Sequence, residues 1–357
     1  MNRIYFISVF FLLFLLWGCS ADDEPLMPDR NSGVDGRVEV EAGVLAPLSS
    51  LPSSRALSAD KIDNYVIWVF DNGVFKEAIR DTDTCKDKDG TNRKVVRITD
   101  SGTMYILLKE EYTDVRLMMI ANVNVPAPAV GTTLTAAESM LSAATFSYDG
   151  KAGSLDYMPF YGINDKSFAV ALGADGGTIQ LIRAMARVDV IASDTDNHFE
   201  LEEISVYQAN TQGTVRQAAT VPVGRGNGII LGGSPSHEGG NYKATLFMPE
   251  IGGIADGTTG TKTFVILKGK YKSYTSDNWQ PRYYRLDFIG SKTGSDGKPA
   301  YTVVNEIKRN HRYIFTIEYL SPTAGYPTID KTLSGDADNQ IYTGFNMAVI
   351  NQDKLLS

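Results

Sequence analysis

Three short patterns in this chain carry the residue types of acyl-transfer chemistry. Ser58-Ala59-Asp60-Lys61, Ser276-Asp277-Asn278 and Lys292-Thr293-Gly294 occur in the order found in serine acyl enzymes, where a lysine helps activate the serine. Their context defeats that reading. Such a serine opens a helix, whereas Ser58 precedes a strand-like run, and the last two patterns are only 14 residues apart, too close to bracket a cleft between domains. Asp81 to Asp89 gathers carboxylates, but Gly90 is misplaced for an EF-hand loop, which leaves a solvated turn. Gly224-Arg225-Gly226-Asn227-Gly228 is not a dinucleotide cradle, because no helix pattern follows it. His198, His237 and His311 have no partner at metal-ligand spacing. Glu202 and Glu203 adjoin in a strand-like run, where neighbours face opposite ways, so they form no acid/base pair. The residues support no enzyme, no metal and no cofactor.

Two other positions invite chemistry performed on the chain. Arg3 precedes the 14-residue apolar run Ile4 to Trp17, which is short for a membrane span. The run ends in Leu16-Trp17-Gly18-Cys19, which resembles a bacterial lipoprotein signal and implies cleavage before Cys19 and a lipid on its thiol. The alternative is an ordinary secretion signal with an incidental cysteine. Ser20-Ala21-Asp22-Asp23-Glu24 resembles the acidic surface-export tether of Bacteroidales lipoproteins. Cys85 is the other cysteine, so with Cys19 lipidated no intramolecular disulfide forms. The second position is Arg55-Ala56, at the end of a proline- and serine-rich leash open to a protease.

What lies before that leash gives a cut its meaning. Val38, Val40, Ala42 and Val44 alternate with Glu39, Glu41 and Gly43, the period of a half-buried strand. A strand tied to its domain by a cuttable tether is a removable strand. At the other end, Ile341, Thr343, Phe345, Met347 and Val349 alternate in the same way, a second strand on a leash.

The elements between are strand-like. Apolar residues make up 43% and charged residues 21% of 357 residues, a folding composition of two or three domains or one large β domain. A net charge of −8 argues against a nucleic-acid surface. KIDNYVIWVFDNG closes in a hairpin signal at Asp71-Asn72-Gly73, with Val74 to Ile79 returning. Val95 to Ile98, Thr103 to Glu110 and the apolar Asp114 to Val123 read as further strands, the last one buried and central. Thr133 to Phe146 has helical spacing at Leu134, Met140 and Leu141, with Thr135 as cap. Met158 to Gly162 is a turn-flanked aromatic cluster, and Gly173 to Gly177 a junction between domains. Arg183 and Arg187 share one face of the next strand, either snorkelling over apolar surface or serving a domain interface. Residues 211–240 read as a loop or loose hairpin, and the strands after them keep the cadence of a sandwich.

Taken together, the lipobox at Cys19, the strand before Ser54-Arg55-Ala56, KIDNYVIWVFDNG, MPFYG, LIRAMARVDV and NEIKRNHRYIFTIEYL make the chain resemble the major fimbrial subunit family of Bacteroidales, the FimA/Mfa-type fimbrillins or type V pilins. The resemblance implies an all-β fold of two tandem transthyretin-like β-sandwich domains with a few short helices. It implies a signal peptide (1–19), a propeptide with the removable strand (20–55), and sandwich domains at 56–176 and 177–357, the second with a donor-like tail from 336. It implies export as an outer-membrane lipoprotein, cleavage after Arg55 by an Arg-specific protease, and loss of the strand bearing Val38, Val40, Ala42 and Val44. A tail bearing Ile341, Phe345, Met347 and Val349 from another fimbrial subunit then fills the groove, building fimbriae that serve adhesion and biofilm formation. Host or bacterial surface ligands are the further partners implied. The alternative is a surface lipoprotein that keeps its strand and binds protein or glycan, the latter through aromatics such as Trp279, Tyr283 and Tyr284.

Overall fold

The computed structural model describes residues 36–45 and, apart from short stretches at 87–89, 152–154, 194–197, 219, 221–227, 253–261, 273–277, 294–298, 305, 319–322 and 342–344, residues 61–351. Cys19, Arg55 and Ala56 lie outside the described residues. The described chain is an all-β sandwich fold with short helices.

The first half begins with β1 (Arg37–Leu45), β2 (Tyr65–Asp71) and β3 (Val74–Arg80). β2 and β3 are joined at Asn72 and Gly73, whose φ angles of 52° and 72° are the left-handed pair that a tight hairpin between twisted strands needs. β4 (Thr84–Lys86) and β5 (Asn92–Lys94) form a small ribbon from the Asp81–Asp89 region. β6 (Val96–Ile98), β7 (Thr103–Lys109), β8 (Val115–Ala121), helix α1 (Leu134–Ala143), β9 (Thr145–Ser147), β10 (Phe160–Ile163), β11 (Asp175–Gln180) and β12 (Ile182–Arg183) complete it. One sheet has the order β11-β1-β7-β6, and the other β12-β10-β8-β2-β3.

The second sheet is buried on both faces, which explains the unbroken apolar runs of β2 and β8. Ile67, Val69, Leu117 and Met119 share a core with Val40, Met104 and Ile106 of the first sheet. The alternate residues Val66, Trp68, Phe70, Met118 and Ile120 meet Ala137 and Leu141 of α1. The helix cap is Thr133, whose hydroxyl accepts from the Ala136 amide at 3.2 Å, in place of the expected Thr135. The buried face runs through Leu134, Ala137 and Leu141, while Met140 is exposed, because Leu134 and Leu141 stand seven residues apart and Met140 is turned off that line.

The second half contains β13 (Met185–Ser193), β14 (Phe199–Ala209), β15 (Gln212–Thr214), β16 (Gly228–Leu231), β17 (Ser236–Glu238), β18 (Asn241–Pro249), β19 (Phe264–Tyr271), β20 (Gln280–Asp287), β21 (Ile289–Thr293), β22 (Pro299–Val303), β23 (His311–Ile317), helices α2 (Ile329–Ser334) and α3 (Asp338–Ile341), and β24 (Phe345–Asn351). Its sheets have the orders β17-β18-β13-β23-β24 and β16-β14-β19-β20. Among its described residues the glycine-rich 211–240 region therefore holds three short strands. The halves are stitched together by the pairing of β9 with β15 and by Arg216, which pairs with Glu138 of α1 at 3.5 Å and donates to the Ser142 hydroxyl at 3.1 Å.

Arg183 and Arg187 do not snorkel: they are 1% and 2% exposed. Arg187 Nε donates to both oxygens of Asp189 at 2.9 and 3.0 Å, the Thr245 hydroxyl donates to the same carboxylate at 2.5 Å, and Arg312 also pairs with it. One carboxylate thus ties β13, β18 and β23 in the interior, where a lone charge costs several kcal/mol.

Candidate functional site

The position of β1 makes it the candidate site. It lies inside its sheet. Arg37 to Gly43 pair antiparallel with Lys109 to Thr103 of β7, and Gly43 to Leu45 pair parallel with Thr178 to Gln180 of β11. Val40, Ala42 and Val44 are buried and Val38 packs against the same core, while Glu41 and Leu45 face out. The expected alternation is therefore the observed one. Burial of this ladder contributes about 5 kcal/mol at the usual area coefficient, and each net backbone hydrogen bond adds about 1 kcal/mol.

The walls on either side have anchors of their own. β7 is paired on its far edge with β6. β11 is held by Asn164, which is fully buried. Asn164 Nδ2 donates to the carbonyls of Gly176 and Lys166 at 2.9 and 2.6 Å, and its Oδ1 accepts from the Leu117 amide at 2.9 Å. The Asp165 amide and carboxylate bind Thr178 at 3.0 and 2.9 Å. Both strands that flank β1 thus have contacts that do not involve it.

The lining is shaped for close approach. A Cβ on Gly176 would stand 3.0 Å from the Ala42 Cβ and 3.3 Å from Val40 Cγ1, so glycine is what lets β11 reach β1. Gly176 and Gly177, expected at a domain junction, lie within β11, and the chain steps into the second pair of sheets after β12. Of Met158 to Gly162, read as a turn-flanked cluster, Phe160 to Gly162 lie in strand β10, between β8 and β12.

Past the leash, residues 61–64 are clamped by Asn122. Its Oδ1 accepts from the Asp63 amide at 2.8 Å, and its Nδ2 donates to the carbonyls of Lys61 and Met158 at 2.8 and 2.7 Å. Asn122 takes a φ of 62°, where asparagine is among the few tolerated side chains. The body of the fold thus grips the chain just after the leash, independently of β1.

Asn164 and Asn122 went unrecognised in the sequence. The available signal was weak: each is a polar residue directly following an apolar strand run, where a backbone-bonding amide ends a strand as well as a turn does.

The tail is a strand from Phe345, paired antiparallel with β23 at the sheet edge. Phe345 is buried, Met347 packs on the core and Val349 is 45% exposed. Ile341 departs from expectation. It closes helix α3 and is not part of that strand, because Asp338 binds the Gly325 and Arg285 amides at 2.8 Å and fixes a helical turn there. Of the aromatics considered for glycan binding, Tyr284 is fully buried against Phe199, so it presents no face to a ligand. Trp279 is 37% exposed with the Lys272 ammonium 4.9 Å from its ring centre.

No protein-family model matches the chain. Among solved structures, it is similar to the C-terminally truncated tip fimbrial protein Mfa3 from Porphyromonas gingivalis, with a TM-score of 0.51 at 14% identity, over 88% of this chain and 99% of that one. A fimbrilin from Porphyromonas gingivalis W83 aligns at 13% identity over 90% and 97%, with a TM-score of 0.45. The likeness to the tip protein is one of fold.

Proposed function

We propose that this chain is a subunit of a cell-surface fimbria, made as a lipoprotein precursor lipidated at Cys19, in which β1 is a removable strand. Cleavage after Arg55 by an Arg-specific protease frees β1, and a strand from another subunit takes its place. Residues 20–55 act as propeptide, and the chain after them forms the two domains, which divide after β12. In the same assembly the tail bearing Phe345, Met347 and Val349 is given to a neighbouring subunit. The likeness in fold to a tip fimbrial protein supports this reading.

One observation carries it. An apolar ladder occupies an interior strand position, yet its covalent link to β2 and the chain that follows runs through residues 46–60, while both flanking strands have further contacts of their own. While the tether is intact, β1 holds its groove at an effective concentration on the order of millimolar. After a cut that advantage is gone, and a head-to-tail contact that does not close on itself grows a filament.

The test is a pair of precursors, wild type and Arg55→Ala, exposed to an Arg-specific protease at the cell surface. The wild type is expected to begin at Ala56 and enter detergent-resistant ladders, and Arg55→Ala to remain monomeric. Ladders from Arg55→Ala would refute the switch.

A further inference from the structure

We propose that the groove chooses its replacement strand by charge, and that the matching strand belongs to a different kind of chain. That strand carries a basic and an acidic residue two positions apart on its non-ladder side, at the start of its apolar ladder. The inference rests on the strand-exchange reading above.

The grounds are two ion pairs between β1 and its surroundings. Arg37, at the start of the strand, crosses to Glu77 of β3 in the facing sheet, with contacts of 2.6 and 3.3 Å, and also donates to the Leu107 carbonyl at 3.0 Å. The Tyr112 hydroxyl donates to the same Glu77 carboxylate at 3.2 Å. Two residues on, Glu39 pairs with Arg93 of the β4–β5 ribbon. The four side chains are only 16 to 20% exposed.

When β1 leaves, Glu77 and Arg93 stay. They form an acidic and a basic socket in sites partly shielded from water, spaced for residues i and i+2 of a strand, about 7 Å along it. A strand with neutral side chains there leaves both charges partly desolvated and unmatched, which disfavours it. A strand with the opposite order of charges is worse still.

The chain's own tail does not match. With Phe345, Met347 and Val349 pointing inward, the alternate residues from Tyr342 to Gln352 are uncharged, and the nearest charges on that side, Asp338 and Lys354, stand 16 positions apart instead of two. No register within that stretch brings a cation to Glu77 or an anion to Arg93. A second copy of this chain is thus a poor donor to the groove, which favours assembly with a different subunit over a homopolymer.

The test uses the full chain with a site-specific cleavage sequence placed within residues 46–60, cut, and freed of β1 under mild denaturant. Three fluorescent strands are titrated by anisotropy: residues 37–45, the same strand with Glu39→Arg, and residues 345–351. The 37–45 strand is expected to bind most tightly and Glu39→Arg to weaken it about tenfold or more. On an Arg93→Glu chain the Glu39→Arg strand should recover, and the tail strand should be indifferent to that change. A Glu77→Lys chain with an Arg37→Glu strand repeats the cycle at the second socket, should Arg93→Glu disturb the ribbon. Additive effects of strand and groove changes, or a tail strand binding as tightly as 37–45, overturn the inference while leaving strand exchange intact. If no strand enters the emptied groove, the strand-exchange reading falls and takes the inference with it.

Discussion

Substitution of Val40 by alanine tests whether β1 is held by its ladder. Val40 is fully buried, opposite Ile106 of β7, and within reach of Gly176 of β11. Removing two methyl groups loses about 0.8 kcal/mol of transfer energy each, and the fixed walls leave a cavity that adds to it, for about 2 kcal/mol in all. In the uncut chain this should appear as a loss of about 2 kcal/mol in urea unfolding. In a chain cut within 46–60 the same energy should raise the dissociation constant of the β1 fragment about 30-fold, since 1.4 kcal/mol is a factor of ten. Val349→Ala is the control. Val349 lies on the edge strand and is 45% exposed, so its truncation should cost under about 0.5 kcal/mol and leave β1 retention unchanged. The assay is size-exclusion of the cut proteins over a urea series, with mass spectrometry of the released fragment. If Val40→Ala and Val349→Ala release the fragment at the same urea concentration, β1 is not held by its ladder and the reasoning fails.

Asn164→Ala should free β11 and leave the Leu117 amide buried without its partner, costing about 2–3 kcal/mol and speeding amide exchange along residues 175–180 more than along β7. Asp71 supplies a pH dependence. Burial alone would push its carboxyl up, but the Thr113 and Asp114 amides, the Asn72 side chain and Lys76 together hold it below the usual range. A lowered carboxylate contributes stability above its unfolded value of about 4, and that contribution is lost as pH falls through the lower native value. Asp71→Asn should therefore destabilise by about 1–2 kcal/mol at pH 7, and the gap to wild type in urea unfolding should close as the pH is lowered below about 4. A gap that stays constant down to pH 2.5 would contradict this.

Local chemistry wrote much of the fold into the sequence. The alternation of Val38, Val40, Ala42 and Val44 is the observed buried face of β1. Asp71-Asn72-Gly73 is the observed hairpin, because few residues tolerate two successive left-handed positions. The proposal that β1 is removable starts from the sequence as well, since a strand pattern beside a proline- and serine-rich stretch is a one-dimensional feature.

What flanks that strand was decided only by tertiary structure. A period of two states that one face is buried, and says nothing about which edges it joins. β1 runs parallel to β11, more than a hundred residues away, and Gly176, which lets β11 approach, looks in sequence like any glycine-rich linker. Ile341 fits the alternation of the tail, yet the buried carboxylate of Asp338 winds that turn into a helix. Asn164 and the pairs Arg37–Glu77 and Glu39–Arg93 likewise join residues far apart in the chain. Sequence alone thus marked β1 as a strand that a cut could free. Only the packing of distant segments decided that β1 sits between β7 and β11 with an ion pair at Arg37 and another at Glu39, because hydrogen bonds and ion pairs between remote residues depend on where the whole chain places them.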